Sequence, residues 1–452
     1  MANSNAQSQL PAQEFAKFPK LKPAFHLYRD PLMALSKSLT TLRGTGLMLN
    51  IVIGAGLLAL PGMVVEVAGH QALWAWALCA IVAAPLLLVF VLMGMRFPDA
   101  GGISHFAQKA FGRSAYSIAS MIFLGAVVFG LPAIALTGGH YLAEAFGGMP
   151  SVYAFGLVIA AAGSHLLSTE IAARVSTAIA SIVLISLLAL VLIGLSVVNW
   201  SGADPNVTPL SQIELPVVFA PFMMIFFAFT GWELAAGLSE EFRNPERDFP
   251  RAMFLSFIAA CLIYFCMAFV AQSVPISGSY KAAFSSILTL AVGEKGRVIM
   301  GLLAGLIIYA NLLGAIWAVS RMVYALSREG LLPLRLTTTS SGTPLSSVLL
   351  VSLALLIVLG FDYAGLLEIS HMLELAGQNF LLLYGLSGLA LLKLSKRLFD
   401  RLVAGSTVAI VVTLMLLQGT SVLYPLCLTV LGVVLARLRS QSTPAARSVT
   451  VA

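Results

Sequence analysis

Charge is the scarcest commodity in this chain. Only 10% of its 452 residues are Asp, Glu, Lys or Arg, where a soluble domain carries about 25%. Hydrophobic residues make up 59%, more than a water-soluble core can absorb. The deficit excludes a soluble globular protein and puts the chain in a lipid bilayer. Cysteine is scarce too. The four present, Cys79, Cys261, Cys266 and Cys427, sit in apolar stretches with neither metal-ligand spacing nor a disulfide framework, so they read as small buried hydrophobes. The chain also lacks a Walker pattern, a Gly-rich loop after a strand and an HExxH motif. No catalytic constellation appears, so an enzyme, a cofactor, a bound metal and ATP hydrolysis within this chain are not expected. No secretory signal is visible: the first apolar run begins after residue 40 and is too long for one.

What is present is a series of long apolar runs. A spanning helix needs about 20 apolar residues, and twelve candidate spans follow: 43–67, 72–95, 116–146, 151–169, 175–198, 216–238, 252–273, 298–326, 345–361, 366–392, 402–418 and 421–436. Residues 1–41 and 437–452 are polar tails. The formal charge of +7 would suit nucleic acid, but its distribution does not. With the N-terminus placed in the cytoplasm, all but Lys281, Lys295 and Arg297 of the 26 Lys and Arg fall on the cytoplasmic side. That asymmetry is the positive-inside pattern. It predicts both termini inside, and it accounts for the basic balance with the bilayer as partner and without nucleic acid. Small residues at helix-packing spacing, as in Gly301 to Gly305, predict close helix contacts.

Two spans are punctuated like turns. The first contains Gly54-Ala55-Gly56 and then Pro61. The sixth contains Phe226-Phe227-Ala228-Phe229-Thr230-Gly231-Trp232-Glu233. Glycine and proline weaken a continuous helix. Inside a membrane, open backbone is tolerated where it is buried in protein or lines a cavity. The alternative is that these glycines only let helices pack closely. The first span enters from the cytoplasm and the sixth from outside, five spans apart. That predicts a 5+5 inverted repeat, with spans 1–5 (42–198) as one half, spans 6–10 (216–392) as the other and spans 11–12 (402–436) added.

The breaks suggest chemistry. A half-helix beginning near Gly54 offers free N–H groups and a partial positive charge, which suit a carboxylate. The sixth-span break, around Phe227 to Thr230, should leave free carbonyls for an ammonium group. Together they predict an α-amino acid ligand. Glu233 follows the second break, inside a span where a charge costs at least about 2.5–3.5 kcal/mol. It is either a gate or proton-coupling residue, or a cap accepting backbone N–H groups freed by the break. Phe129, Pro132, Thr230, Trp232, Asn311 and Trp317 are candidate pocket residues. Glu66 and His70 fit interfacial solvation. Glu368, His371 and Glu374 share one helix face and suit a solvated vestibule better than a proton relay. The loop from Glu240 to Arg251 reads either as an inner gate closed by ion pairs or as a solvated loop before a capped helix.

These motifs resemble the amino acid–polyamine–organocation (APC) transporter superfamily. The first-span Gly-x-Gly before Pro61 resembles its carboxylate-binding motif, and Phe229-Thr230-Gly231-Trp232-Glu233 its amine-binding motif. Pro98-Asp99-Ala100-Gly101-Gly102 resembles the segment after its second span. The long motif Glu241-Phe242-Arg243-Asn244-Pro245-Glu246-Arg247-Asp248-Phe249-Pro250-Arg251-Ala252 looks most like that of the bacterial exporters of methionine and branched-chain amino acids within it. The resemblance covers most of residues 40–435. It implies an all-α integral membrane fold of about twelve helices with broken helices 1 and 6. It implies a substrate site at Val52, Ile53, Gly54, Ala55, Gly56, Phe227, Thr230, Gly231 and Trp232, with Glu233 as gate or protonation element. It also implies a secondary transporter of neutral hydrophobic amino acids in the bacterial inner membrane, with an importer as the alternative and an amino acid sensor further off. Protons are the candidate coupling ion, and an oligomer is compatible with the fold. Three departures stand out. Ala55 replaces the Ser or Thr of many relatives, the fifth span has no lysine, and Glu374 stands where a neutral residue is expected.

Overall fold

The computed structural model describes residues 39–53, 55–97, 102–165, 185–198, 207–332, 336 and 344–442. Gly54, Pro98 to Gly101, residues 175–184 of the expected fifth span and most of both tails lie outside them. The described residues are mostly helical and hold no strand beyond one isolated bridge between Leu39 and Phe242. Nine helical stretches among the described residues are long and apolar enough to cross a membrane. This is an all-α integral membrane protein.

The first expected span is broken. Helix α1 runs Thr41–Val52, a 3₁₀ turn covers Ala55–Leu58, and α2 runs Leu60–Ala68. Pro61 sits in the first turn of α2, where its missing N–H costs nothing. Then come α3 (Ala72–Arg96), α4 (Gly102–Phe111), α5 (Arg113–Phe146), α6 (Pro150–Ser164) and α7 (Ile185–Val197). The sixth span is more fragmented than its sequence suggests: α8 (Leu215–Phe219), α9 (Phe222–Ala228) and α10 (Trp232–Ala235), the last running into a 3₁₀ segment to Glu241. Pro221 opens α9 and makes the extra interruption. The rest is α11 (Pro245–Ser273), α12 (Ala283–Val292), α13 (Lys295–Arg328), α14 (Leu345–Tyr363), α15 (Ile369–Leu394), α16 (Leu398–Leu416) and α17 (Leu423–Ser442). Short helices α4 and α12 were not among the expected spans. Both lie in connections, and their apolar sides are buried.

Small residues set the helix spacing, because lipid gives apolar side chains little reason to leave it and close packing does the work. Gly301 lies against Ala145 and the Tyr141 carbonyl, and Gly305 against Leu142, which brings α13 onto α5 as the spacing predicts. Pro85 and Pro132 stay inside continuous helices. The Pro85 carbonyl accepts a hydrogen bond from Thr407 on α16 at 3.2 Å. At the Lys- and Arg-rich end, which we call the basic end, Arg96 closes α3 and pairs with the fully buried Asp400 of α16. Ser395 donates to the same carboxylate. A buried charge pair costs desolvation, and here it fixes where α16 meets the bundle.

The loop before α11 docks on the start of α1. Leu39 N–H donates to the Glu241 carbonyl and Arg243 N–H to the Leu39 carbonyl, each at 3.0 Å. Thr41 donates to Asp248 at 3.0 Å. Phe242 is fully buried, edge-on to Phe249, in space left open by Gly44. The carbonyl of Asn244 accepts from the Arg247 and Asp248 N–H groups of α11, while its side chain makes no capping bond. These contacts are backbone pairing, a hydroxyl–carboxylate bond and an aromatic plug.

Candidate functional site between the two helix breaks

The two breaks face each other. Gly231 has φ +104°, in the left-handed region that only glycine adopts cheaply. A Cβ there would sit 3.3 Å from the Val52 Cα and 3.4 Å from the Ile51 carbonyl oxygen. The sequence thus puts glycine where the sixth span must both reverse its backbone and touch the first.

A cavity of about 330 Å³ opens beside this contact. The first break contributes Ile51, Val52, Gly56 and Leu57, and the second Phe227, Ala228, Thr230, Gly231, Glu233 and Leu234. Helix α5 adds residues including Phe123, Val127, Gly130 and Leu131, α13 adds residues including Asn311, Ala315, Val319 and Met322, and Tyr264 and Phe380 also line it. The lining is mostly apolar. Such a volume lies at the low end for ligand pockets, roughly 300–1,000 Å³. Phe123 lies near the start of α5 and Met322 near the end of α13, so the cavity runs from the breaks toward the basic end. The opposite end is closed. Tyr141 donates to the Leu58 carbonyl at 2.8 Å and accepts from Phe284 N–H at 3.3 Å. Gly62 lies so close to the Tyr280 carbonyl that a Cβ would overlap it.

The backbone groups freed at the second break are already occupied. Glu233, 2% exposed, accepts from the Gly231 N–H at 2.9 and 3.1 Å. Tyr384 of α15 donates to the same carboxylate at 2.8 Å. Of the two roles open to Glu233, the capping of the break is visible in these contacts. The expectation of free carbonyls needs correction. Phe227 C=O accepts from the Thr230 hydroxyl at 2.7 Å, and Ala228 C=O from Tyr264 at 2.7 Å. A buried carbonyl without a partner would cost about 1–3 kcal/mol, and hydroxyls within reach relieve that. The Phe227 oxygen also accepts from the Thr230 N–H at 3.3 Å, which fills it, while the Ala228 oxygen keeps a second lone pair. At the first break, the opening N–H groups of the Ala55–Leu58 turn have no intrahelical partner, as at any helix start. The Phe227 ring spans the cavity wall: a Cβ on Gly56 would lie 3.4 Å from it, and one on Gly130 would lie 2.9 Å from it.

The expected site residues divide. Val52, Gly56, Phe227, Thr230, Gly231 and Glu233 line the cavity, as does Asn311. Ile53 and Trp232 are buried but do not line it, and the Trp232 ring packs on Phe257 at 5.9 Å. Gly54 is outside the described residues, and of Ala55 only the backbone is described. Phe129 packs on Tyr424 at 5.1 Å, and Trp317 lies between Arg321 and His165. Neither they nor Pro132 reach the cavity. His371 and Glu374 share a separate pocket with Gln378 and Ser421. Tyr264 and Tyr384 were missed. Each is the one tyrosine of its helix, and a phenol hydroxyl inside an apolar span needs a partner. That was the available signal.

The profile described as amino acid permease matches residues 39–449. The uncharacterized amino acid permease YecA of Bacillus subtilis (strain 168) is 31% identical over 312 residues, 67% of this chain and 72% of that protein. The L-methionine/branched-chain amino acid exporter YjeH of Escherichia coli (strain K12) is 30% identical over 266 residues, 58% of this chain and 62% of that one. The serine/threonine exchanger SteT of Bacillus subtilis (strain 168) is 25% identical over 312 residues, 66% of this chain and 70% of its own.

Proposed function

Because the chain belongs to the amino acid permease family of the APC superfamily, we propose that it is a secondary transporter of neutral, mainly hydrophobic amino acids, namely methionine, leucine, isoleucine and valine, working outward. That it is an amino acid transporter of this family and not an enzyme follows from the match over residues 39–449. The choice of substrate rests on one observation above all: a mostly apolar cavity of about 330 Å³ built between two helix breaks. The N–H groups of the first break suit the carboxylate. The second lone pair of the Ala228 carbonyl suits the ammonium. The side chain then lies among Phe123, Val127 and Phe380. The outward direction is supported by the name of the YjeH relative.

In this reading the basic end faces the cytoplasm of a bacterial inner membrane, both termini are cytoplasmic, and the cavity is the inward-facing state. Alternating access rocks α1–α3 and α8–α11 against α5, α6, α13 and α14. Protons or a counter-moving amino acid drive it, and Glu233 responds to the occupancy of the break it caps. The test is flux of radiolabelled methionine and leucine in proteoliposomes, with and without an imposed pH gradient. Outward movement against a substrate gradient supports export. Accumulation driven by an inward proton gradient replaces export with import. No flux of any amino acid in either direction removes the transporter reading.

A further inference from the structure

Four hydrogen-bonding side chains line the cavity: Thr230, Glu233, Tyr264 and Asn311. Three serve the protein itself. Thr230 is bonded to Phe227, Tyr264 to Ala228, and Glu233 to Gly231 and Tyr384. Asn311 differs. It is half-buried, lines the cavity, and its carboxamide has no hydrogen-bond partner among the described residues. Its place is central. It is the seventeenth of the 34 residues of α13, midway along the helix. It heads the face that continues through Ala315, Val319 and Met322 toward the basic end. The breaks contribute their own stretches of the wall.

We propose that Asn311 is the specificity-determining residue of this cavity, donating an N–H to an acceptor atom in the substrate side chain and so favouring methionine over purely hydrocarbon side chains of similar size. The inference rests on the amino acid reading of the cavity and names what that reading leaves open, the ranking among its substrates. The physical reason is an asymmetry. A ligand that covers a carboxamide must remove its water. A thioether sulfur, a weak acceptor, returns part of that loss. A methylene in the same place returns nothing. The surrounding wall is apolar, so no other unpartnered side chain among the described lining residues offers this contact. In the amino acid reading, backbone at the breaks meets the α-carboxylate and the ammonium, which leaves the amide for the side chain.

Norleucine is the decisive probe, since it replaces the sulfur of methionine by a methylene. Competition of methionine and norleucine against labelled leucine is measured in proteoliposomes containing wild type, Asn311→Leu and Asn311→Ala. The ratio of the two inhibition constants is independent of how much protein folds. Asn311→Leu is expected to move that ratio toward norleucine by about 3–5-fold, the lower part of the range a single hydrogen bond supports, since the thioether is a weak acceptor. Asn311→Ala is expected to move it in the same direction. A ratio within twofold of wild type in either variant overturns the role. Loss of all flux in both variants, with wild type active, also overturns it, because Asn311 is then a structural requirement and not a selector. Absence of wild-type flux of any amino acid is the separate failure of the transporter reading.

Discussion

Gly56 offers the sharpest test of where the ligand sits. Its hypothetical Cβ lies 3.4 Å from Phe227 Cε1 and 3.7 Å from Cδ1, ordinary contact distances. Gly56→Ala therefore fits without moving the ring and should bind leucine within about threefold of wild type. Gly56→Leu adds three more carbons. They meet Phe227 at once, and the ring is hemmed in from behind by Gly130, where even a Cβ would lie 2.9 Å away. The new side chain can only turn into the cavity. Overpacking costs about 1–3 kcal/mol. At 1.4 kcal/mol per tenfold, that weakens binding by roughly 5- to 150-fold, because the lost volume is the ligand's own. Gly130→Ala, pressing the same ring from the other side, should fall between the two. The assay is equilibrium binding of labelled leucine to purified protein, with flux in proteoliposomes beside it. Leucine binding by Gly56→Leu at wild-type affinity would refute the placement of the site at the first break. So would a loss in Gly56→Ala as large as in Gly56→Leu, since the steric argument separates them.

Two further outcomes follow from the same geometry. Tyr264→Phe leaves the Ala228 carbonyl without its 2.7 Å donor, at a cost of about 1–3 kcal/mol. The thermal midpoint in detergent should drop and flux should fall, and an unchanged midpoint would mean that the hydroxyl does not hold the break. Gly62→Ala places a methyl against the Tyr280 carbonyl where the far end is closed. Cysteine-accessibility labelling from the side opposite the basic end should then report a more open cavity. If labelling matches wild type, the Gly62 contact is not part of the closure.

Much of the fold was legible because membrane insertion writes it into composition. The long apolar runs around α3, α5, α11, α13 and α15 could be nothing but spans, since no soluble core absorbs them. The glycines at 54–56 and 231 marked the breaks because a helix interior rejects glycine and proline unless something else repays them. The short helices α4 and α12 were not visible, because a connecting helix of ten residues has no length signature. The extra interruption at Pro221 went unread for a different reason: many spans tolerate proline, as α3 does at Pro85 and α5 at Pro132.

The site divides along the same line. Local sequence determined that two helices break, that Gly231 takes a left-handed turn, and that Glu233 lies beside it. Those are properties of a few adjacent residues and their backbone energetics. Only the tertiary structure decided that the breaks touch through Gly231 and Val52, and that Trp232 turns away to Phe257 while Phe227 spans the wall. It alone decided that tyrosines from α11 and α15 close the open carbonyls and the carboxylate. The reason is physical. Which face of an apolar helix meets lipid and which meets protein is weakly encoded when both are hydrocarbon. Partners hundreds of residues apart are therefore chosen by packing, and packing is a property of the whole bundle.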